Sequence, residues 1–293
     1  MKNKGIWYAV VCYVIWGFFP IYWKALQVVP AAQIVAHRLV WSFVLLTGAL
    51  LLFRQWTGFR KALTWRIVGL YLASGALLTV NWLIYIYGVN AGFVLETSLG
   101  YYINPLVSVL FGVLFFRERL PVSKWIPVGM AAAGVLYLTI SYGALPWIAL
   151  SLAVSFGLYG LVKKAAPLNA FYGITLETAT MFLPSLGYLL LMEQQGTGSF
   201  GHVSPPVTVL IILAGVVTAV PLLLFSSAAR LIPLSMVGFL QYISPTLQFL
   251  LGVFLYGESF TTERLIGFSI IWLALILFSA GGIYERRKAL AAV

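Results

Sequence analysis

The acidic residues of the sequence are few, and two of them fall inside long apolar segments. All seven are glutamates, and only Glu96 and Glu177 lie within stretches that are otherwise apolar. A charge at the centre of a membrane-spanning segment costs about 2.5–3.5 kcal/mol, so each carboxylate needs a partner or a function. Three interpretations stay open: a structural ion pair, a site for a proton or a substrate, and a side chain that reaches the lipid headgroups.

Two basic side chains, His37 and Arg38, are adjacent in another apolar segment. Arg38 and Glu96 both come early in their segments, at one depth, so we predict an ion pair between them. A histidine beside an arginine at the end of a span is also a candidate for a gate or a proton site.

A repeated motif connects His37 with Glu177. The pattern Tyr-Ile-x-Pro begins at Tyr102 and again at Tyr242, and we call the spacing between these two tyrosines the repeat offset. The same offset takes His37 to Glu177, in halves of opposite orientation, which places Glu177 near the other side of the membrane. Three basic residues are available there as its partner: Lys163, Lys164 and Arg230. The candidates for proton coupling or a gate are His37, Arg38, Glu96 and Glu177, and Glu177 is favoured because its charge can be neutralised.

A polar stripe follows one face of an apolar segment near residue 245. Gln241, Pro245, Gln248 and Gly252 recur at i, i+4, i+7 and i+11, which is one face of a helix. At 1.5 Å per residue, Gln241 to Gln248 lie about 9–20 Å into a span of about 30 Å. An amide that faced lipid at this depth would be costly, so the stripe should face a cavity or another helix.

The repeat offset places a second stripe at Tyr101, Pro105, Ser108 and Gly112. Each proline frees a carbonyl one turn earlier in its helix, which adds backbone acceptors at the same level. We expect the stripes to face each other across a substrate; hydrogen bonding between helices without a ligand is the alternative. The candidate substrate-binding residues are Tyr101, Tyr102, Asn104, Ser108, Asn81, Trp82, Gln241, Tyr242 and Gln248.

Motifs of enzymes are missing from the sequence. It contains no HExxH, no phosphate-binding loop with its lysine, no G-x-S-x-G and no cluster of metal ligands. We therefore expect no catalytic residues, no metal and no cofactor. Without a nucleotide-binding loop the protein cannot hydrolyse ATP, so pumping must use an ion gradient, or transport is facilitated exchange. The single cysteine, Cys12, cannot form a disulfide within the chain and is expected to pack in the core.

The elements that carry these residues are ten apolar segments. Hydrophobic residues make up 62% of the 293 residues and charged residues only 9%, against roughly 25% charged in a soluble domain. A chain of this composition has lipid as its main solvent. We predict an all-α integral membrane protein with spans at 5–23, 32–53, 67–89, 94–116, 124–141, 145–162, 172–192, 207–229, 235–256 and 265–284.

The basic residues lie mostly on one side of these spans. Of the 18 Lys and Arg residues, 15 fall on the side of the N-terminus, Lys24 and Arg264 fall on the other side, and Arg38 lies within a span. Because cytoplasmic segments are rich in Lys and Arg, both termini are predicted to be cytoplasmic. The net charge of +11 thus follows from orientation and does not indicate binding to nucleic acid.

The two halves of the chain match each other at the repeat offset, without a gap. They form predicted repeats at 5–141, with helices 1–5, and at 145–285, with helices 6–10. Each repeat has an odd number of spans, so the two are inserted in opposite orientations. Inverted repeats are typical of secondary transporters that bind substrate between the repeats. The matched pairs include Trp7 and Trp147, Gly17 and Gly157, Lys24 and Lys164, Gly75 and Gly215, Tyr102 and Tyr242, Pro105 and Pro245, and Glu118 and Glu258.

Several longer motifs of the sequence are specific in combination, among them Trp16-Gly17-Phe18-Phe19-Pro20, His37-Arg38-Leu39-Val40-Trp41-Ser42, Leu95-Glu96-Thr97-Ser98-Leu99-Gly100-Tyr101-Tyr102-Ile103-Asn104-Pro105 and Gly238-Phe239-Leu240-Gln241-Tyr242-Ile243-Ser244-Pro245-Thr246. Through them nearly the whole chain, from about residue 5 to 285, resembles the RarD branch of the EamA-type permeases in the drug/metabolite transporter superfamily. The resemblance implies a bacterial inner-membrane exporter with a central cavity lined by helices 1–4 and 6–9, helices 5 and 10 being peripheral.

The function predicted from these features is secondary transport of a small organic molecule, a drug or an amino-acid-like metabolite. An ion or lipid pore and a non-catalytic membrane assembly subunit are the alternatives. The expected partners are the small-molecule substrate and membrane lipid. The small-residue spacing of Gly129 and Ala133 in the fifth span permits close helix contact, so monomer and homodimer both stay open.

Overall fold

The computed structural model describes the backbone of residues 2–90, 94–143, 145–257 and 261–291. It describes their side chains except at 2, 89, 90, 94–96, 98, 142, 264, 279 and 282–291. Within these ranges the chain is helical and contains no strand. The helices are α1 (Lys2–Gly17), α2 (Phe19–Ala25), α3 (Ala31–Leu52), α4 (Trp56–Lys61), α5 (Trp65–Asn90), α6 (Val94–Phe116), α7 (Val122–Tyr142), α8 (Trp147–Ala165), α9 (Ala170–Gln194), α10 (Pro205–Leu231), α11 (Leu234–Gln241), α12 (Ile243–Leu250), a π-helical turn (Leu251–Leu255) and α13 (Thr262–Ala291).

Ten spans can be recognised in the described part of the chain. Nine segments are long and apolar enough to cross a membrane, and α13 contains a shorter apolar stretch, Leu265–Phe278. The first span consists of α1 and α2, and the ninth consists of α11, α12 and the π-helical turn. The predicted all-α fold with ten transmembrane helices is therefore confirmed, with span ends within a few residues of the predicted ones.

Two spans are broken near the middle of the bundle, and a proline follows each break. The first span breaks at Phe18, and Pro20 lies in the first turn of α2. The ninth span breaks at Tyr242, between α11 and α12, three residues before Pro245. Because proline has no N–H, the carbonyl one turn earlier loses its helical partner, which makes a bend at this point inexpensive.

Most contacts between helices have an equivalent contact elsewhere in the bundle, which is found by applying the repeat offset to both helices. α1 packs on α10 and α5 packs on α8, which are equivalent contacts in the two halves. α6 packs on α8, and its equivalent is the contact of the ninth span with α1. α3 with α9, α6 with α11 and α7 with α13 each join a helix to its own repeat mate. The division into repeats at 5–141 and 145–285 stays a prediction, and this packing is the arrangement that it requires.

Two glycines at equivalent positions allow close helix contacts. A Cβ on Gly215 of α10 would lie 2.6 Å from the carbonyl carbon of Trp41 in α3. A Cβ on Gly75 of α5 would lie 3.1 Å from Cγ of Met181 in α9. The offset that relates the glycines also relates Trp41 to Met181, so both contacts join the same positions of the repeat. They fix how deeply α3 and α9 pack into the bundle.

Candidate functional site

A cavity of about 810 Å³ lies in the centre of the bundle. Its lining residues come from α1, α2, α3, α5, α6, α8, α10, α11 and α12 and from the connection between α2 and α3. The lining extends along residues 27–30 of this connection and into the start of α3, and Val28 is 59% exposed there. We call this end of the cavity the mouth.

Aromatic side chains form the floor of the cavity at its other end. Trp16 and Phe156 line the cavity, and both contact Phe225, with ring centroids 5.7 and 5.4 Å away. Beyond them Tyr13 and Tyr159 are fully buried, and the Tyr13 hydroxyl donates to the Val237 carbonyl at 3.1 Å. Among the described residues the cavity is therefore open at the mouth and closed by a packed core at the floor.

Arg38 brings a positive charge to the cavity wall. Its guanidinium lies over the rings of two tryptophans, 3.9 Å from the centroid of Trp82 and 4.7 Å from that of Trp23. Its Nε donates to Oγ1 of Thr218 at 2.9 Å. A planar cation between aromatic faces is partly stabilised by their electrons and held in one orientation. The fixed end of the guanidinium is Nε, so its terminal nitrogens form the available end.

Further aromatic rings and amides give the cavity an amphipathic lining. Tyr85 and Tyr101 both line it and pack edge to face at 5.9 Å. Asn81 donates through Nδ2 to the Leu152 carbonyl and to Oγ of Ser155, both at 2.9 Å. Gln248 donates through Nε2 to the Trp16 carbonyl at 3.0 Å, at the break of the first span. These bonds hold both side chains in place at the wall.

Two more amides line the cavity with unused acceptors. Asn104 and Gln241 are only 4% and 5% exposed. Oδ1 of Asn104 and Oε1 of Gln241 have no hydrogen-bond partner among the described residues. Leaving a buried acceptor unpaired is unfavourable by about 1–3 kcal/mol, so both oxygens are ready to accept from a ligand.

The structure separates the predicted site residues into two groups. Tyr102, Ser108 and Tyr242 are buried at the contact of α6 with α11 and do not line the cavity. There the Tyr102 hydroxyl donates to the Pro245 carbonyl at 3.1 Å and the Tyr242 hydroxyl to the Tyr102 carbonyl at 3.2 Å. The predicted residues that line the cavity are Arg38, Asn81, Trp82, Tyr101, Asn104, Gln241 and Gln248.

Neither His37 nor Glu96 forms a described part of the cavity wall. His37 is buried on another face of α3, where its ring lies 5.5 Å from that of Phe200. The backbone of Glu96 lies in α6, but its side chain is outside the described residues. The predicted pair of Arg38 with Glu96 therefore stays a prediction.

Glu177 lies in the predicted position beside a basic residue. Its Oε2 accepts from Nζ of Lys163 in α8 and from Oγ of Ser74 in α5, the latter at 3.0 Å. The side chains of Lys163 and Glu177 are 0% and 3% exposed. α9, the seventh span, contributes no described lining residue, contrary to the expectation that helices 6–9 all line the cavity. α9 packs against α3 and α5 instead. The Glu177 carboxylate that it carries contacts Lys163.

Glu118 joins three spans at the end opposite the mouth. Its carboxylate accepts from the backbone N–H of Leu234 at 2.6 Å and of Ser235 at 2.9 Å, the first residues of α11. The Ser235 hydroxyl also donates to it at 2.6 Å, and Nζ of Lys164 in α8 lies 3.6 Å away. A carboxylate is favourable here because the first N–H groups of a helix lack partners and carry partial positive charge.

Several of these residues were not among the sequence candidates. The match of Glu118 with Glu258 at the repeat offset was the available signal, but a glutamate at a span end is also common at a membrane surface. Trp16, Trp23 and Tyr85 gave no separate signal, because aromatic residues are frequent near both membrane interfaces.

Comparisons with known proteins identify the family. Residues 3–140 match the model of the EamA-like transporter family. An uncharacterized transporter, YojE, from Bacillus subtilis is 46% identical, over 98% of this chain and 97% of that protein. The protein RarD of Streptomyces exfoliatus is 42% identical, over 99% of this chain and 92% of that protein. A crystal structure with 15% identity matches with a TM-score of 0.71 over 96% of this chain and 98% of that one, which shows the same fold. The chain belongs to the RarD-type permeases of the EamA-like transporter family.

Proposed function

We propose that the protein is a secondary transporter that exports a small organic molecule, a drug or an amino-acid-like metabolite, by alternating access. The observation that carries this proposal is the cavity of about 810 Å³, which opens at one mouth and ends on a closed floor. Sites for small molecules have volumes of about 300–1,000 Å³ and combine apolar walls with a few placed polar groups. An ion or lipid pore needs a path to both sides, and the aromatic floor is against it.

The repeat supports the alternation. Residues 31, 32, 34, 35 and 38 of α3 line the outer part of the cavity. Their equivalents in α9 are residues 171, 172, 174, 175 and 178, which surround Glu177. If the two repeats exchange conformations, this part of α9 becomes the wall of a cavity that opens at the other end. Glu177 would then take the place that His37 has now, beside the cavity wall, and it stays our candidate proton carrier because its charge can be neutralised; Glu177→Gln should abolish the pH dependence of transport.

The membrane placement follows from the distribution of charge. With both termini cytoplasmic, the mouth faces away from the cytoplasm, and Lys164 with Glu118 lies at the cytoplasmic end. In a bacterium with this protein in its inner membrane, the described conformation is the one that releases an exported substrate. The next step of the cycle closes the mouth and opens the floor.

Cysteine labelling tests whether the cavity is a substrate pathway. Cys12 is fully buried and would be replaced by alanine. In that background, Gln241→Cys and Gln248→Cys should react with a water-soluble thiol reagent, because both positions line the cavity. Tyr101→Ala and Gln248→Ala should reduce efflux of the transported compound in proteoliposomes at least tenfold, with less effect on expression. A first panel of compounds is chloramphenicol and the amino acids.

A lipid-facing position supplies the control. Val44 in α3 is 48% exposed and does not line the cavity. Val44→Cys should therefore resist the same reagent while the protein still transports. If Gln241→Cys and Gln248→Cys resist it equally in an active protein, the stripe is helix packing and the cavity is not the pathway.

A further inference from the structure

Among the described residues that line the cavity, Arg38 is the charged one. No described carboxylate lines the cavity beside it. The guanidinium has five N–H donors. Nε donates to Thr218, and the guanidinium carbon lies over the rings of Trp23 and Trp82. A cation within a membrane protein is expensive unless it has a partner or a ligand. Arg38 lines the cavity, and its terminal nitrogens have no hydrogen bond that would occupy them among the described residues, so they are its free donors.

A second and independent observation comes from the amides. Asn104 and Gln241 lie on α6 and α11, are more than nine-tenths buried, and line the cavity. Their side-chain oxygens lack a described partner. Unpaired buried acceptors require donors from a ligand or from water. The cavity thus offers a planar cation on one wall and two acceptors on others.

The remaining lining limits the body of the ligand. Trp16, Trp23, Trp82 and Tyr101 line the cavity with flat apolar surfaces. Aromatic rings pack favourably on such surfaces, edge to face or offset. The two forked N–H groups of the guanidinium match the two oxygens of a carboxylate through parallel hydrogen bonds. A ligand with an ammonium or a neutral amide in this place cannot form that pair of bonds.

We propose that the substrate is a small aromatic carboxylate that also carries a hydrogen-bond donor. Arg38 binds the carboxylate from between Trp23 and Trp82, and Asn104 or Gln241 accepts from the donor. This inference rests on the proposed transport function and adds the charge of the substrate. It gives Arg38 the role of substrate anchor, in place of the proton coupling or gating predicted from sequence.

Aromatic probes of similar size but different charge test the charge preference on the purified full-length protein. Indole-3-acetate carries the carboxylate and an N–H, indole-3-acetamide is neutral, and tryptamine is a cation. By calorimetry the acetate should bind about tenfold more tightly than the acetamide, the effect of one charge-assisted hydrogen bond. Tryptamine should not compete with it. Naphthalene-1-acetate, which lacks the N–H, should bind about threefold to tenfold more weakly than indole-3-acetate.

Variants distinguish the effect of the Arg38 charge from the effect of the contacts that hold Arg38 in place. Arg38→Gln should abolish the preference for the acetate over the acetamide, and Arg38→Lys should keep part of it. Thr218→Val removes the acceptor of Nε but leaves the charge, so the preference should persist. Lys24→Gln is the control cation: Lys24 lies over the ring of Tyr256 at 3.7 Å and does not line the cavity. It should bind like the wild type, and if Arg38→Gln does not fold, Arg38→Lys and Thr218→Val carry the test.

The outcomes are distinct for the site and for the function. Equal binding of acetate and acetamide to the wild type overturns the anchor. So does a preference that arises only in Glu96→Gln, because Glu96 would then be the carboxylate that neutralises Arg38. Arg38-dependent binding of the acetate without any efflux from proteoliposomes would keep the anchor and refute the transport function. Efflux without any preference for the charged probe would keep the transport function and refute the anchor.

Discussion

At the scale of single residues, the buried ion pair of Lys163 and Glu177 makes the strongest prediction. Both side chains are almost completely removed from solvent. Removing one partner leaves an uncompensated buried charge, which costs about 3–5 kcal/mol. Glu177→Gln should therefore lower the unfolding temperature in detergent clearly. The double variant with Lys163→Met should recover much of the loss, because it removes both charges together.

The exposed pair of His202 and Glu193 is the control for this measurement. Its side chains are 60% and 53% exposed, with 2.7 Å between Nε2 and Oε1. Exposed pairs contribute about 0–1 kcal/mol, so His202→Ala should change the unfolding temperature little. If Glu177→Gln is as stable as His202→Ala, the buried pair does not stabilise the fold, and our account of it is incorrect.

The sequence indicates the residues of the cavity better than it indicates their contacts. Periodicity and the cost of amides in lipid select Gln241 and Gln248, and Asn104 is predicted beside the stripe on α6; all three line the cavity. Tyr102 and Tyr242 are predicted from the repeated motif beside these stripes, and they point into the neighbouring helix contact instead. Which of two adjacent residues faces a cavity depends on how the helix is rotated against its neighbours. That rotation is set by nonlocal packing, which a one-dimensional pattern does not contain.

At the scale of elements, the N-terminus of α11 depends on a carboxylate from another span. α11 starts after Pro233 without a side-chain cap from its own segment. Glu118, after α6, accepts from its first two N–H groups. Loss of such a cap costs about 0.5–2 kcal/mol. Glu118→Ala should lower the unfolding temperature and accelerate hydrogen exchange in the first turn of α11.

Glu263 serves as the matched control, because it also lies in the first turn of a helix, α13, but is exposed. Glu263→Ala should leave hydrogen exchange in α11 unchanged and shift the unfolding temperature little. Unchanged exchange at residues 234–236 in Glu118→Ala would show that the cap is dispensable. The other contacts at this end, such as Lys164 to the Ile232 carbonyl at 2.8 Å, would then hold α11 in place.

Span positions are the part of the fold that the sequence determines most directly. Long apolar runs with basic residues at their ends place α3 and α10 to within a few residues. The breaks inside the first and ninth spans are different, because hydropathy continues through them without interruption. Pro20 and Pro245 mark where the breaks are allowed, and the packing of α1 against α12 accompanies them.

At the scale of the whole molecule, the cavity has one open end among the described residues, and the charge distribution has one basic side. The mouth lies at the connection of α2 with α3, and α4, with Arg60 and Lys61, lies in the next connection. Consecutive connections of a membrane protein lie on opposite sides. The positive-inside bias assigns α4 to the cytoplasm, so the mouth is predicted to face outward.

Impermeant thiol labelling in intact cells checks this orientation. In the background with Cys12→Ala, Val28→Cys should be labelled from outside, because Val28 is exposed at the mouth. Lys61→Cys, in the exposed last turn of α4, should be labelled only after the membrane is permeabilised. The opposite pattern would place both termini outside and turn the described conformation into the one that loads substrate from the cytoplasm. Labelling of Val28→Cys that falls when a transported compound is added would further connect the mouth to the transport cycle, because closing the mouth removes it from water.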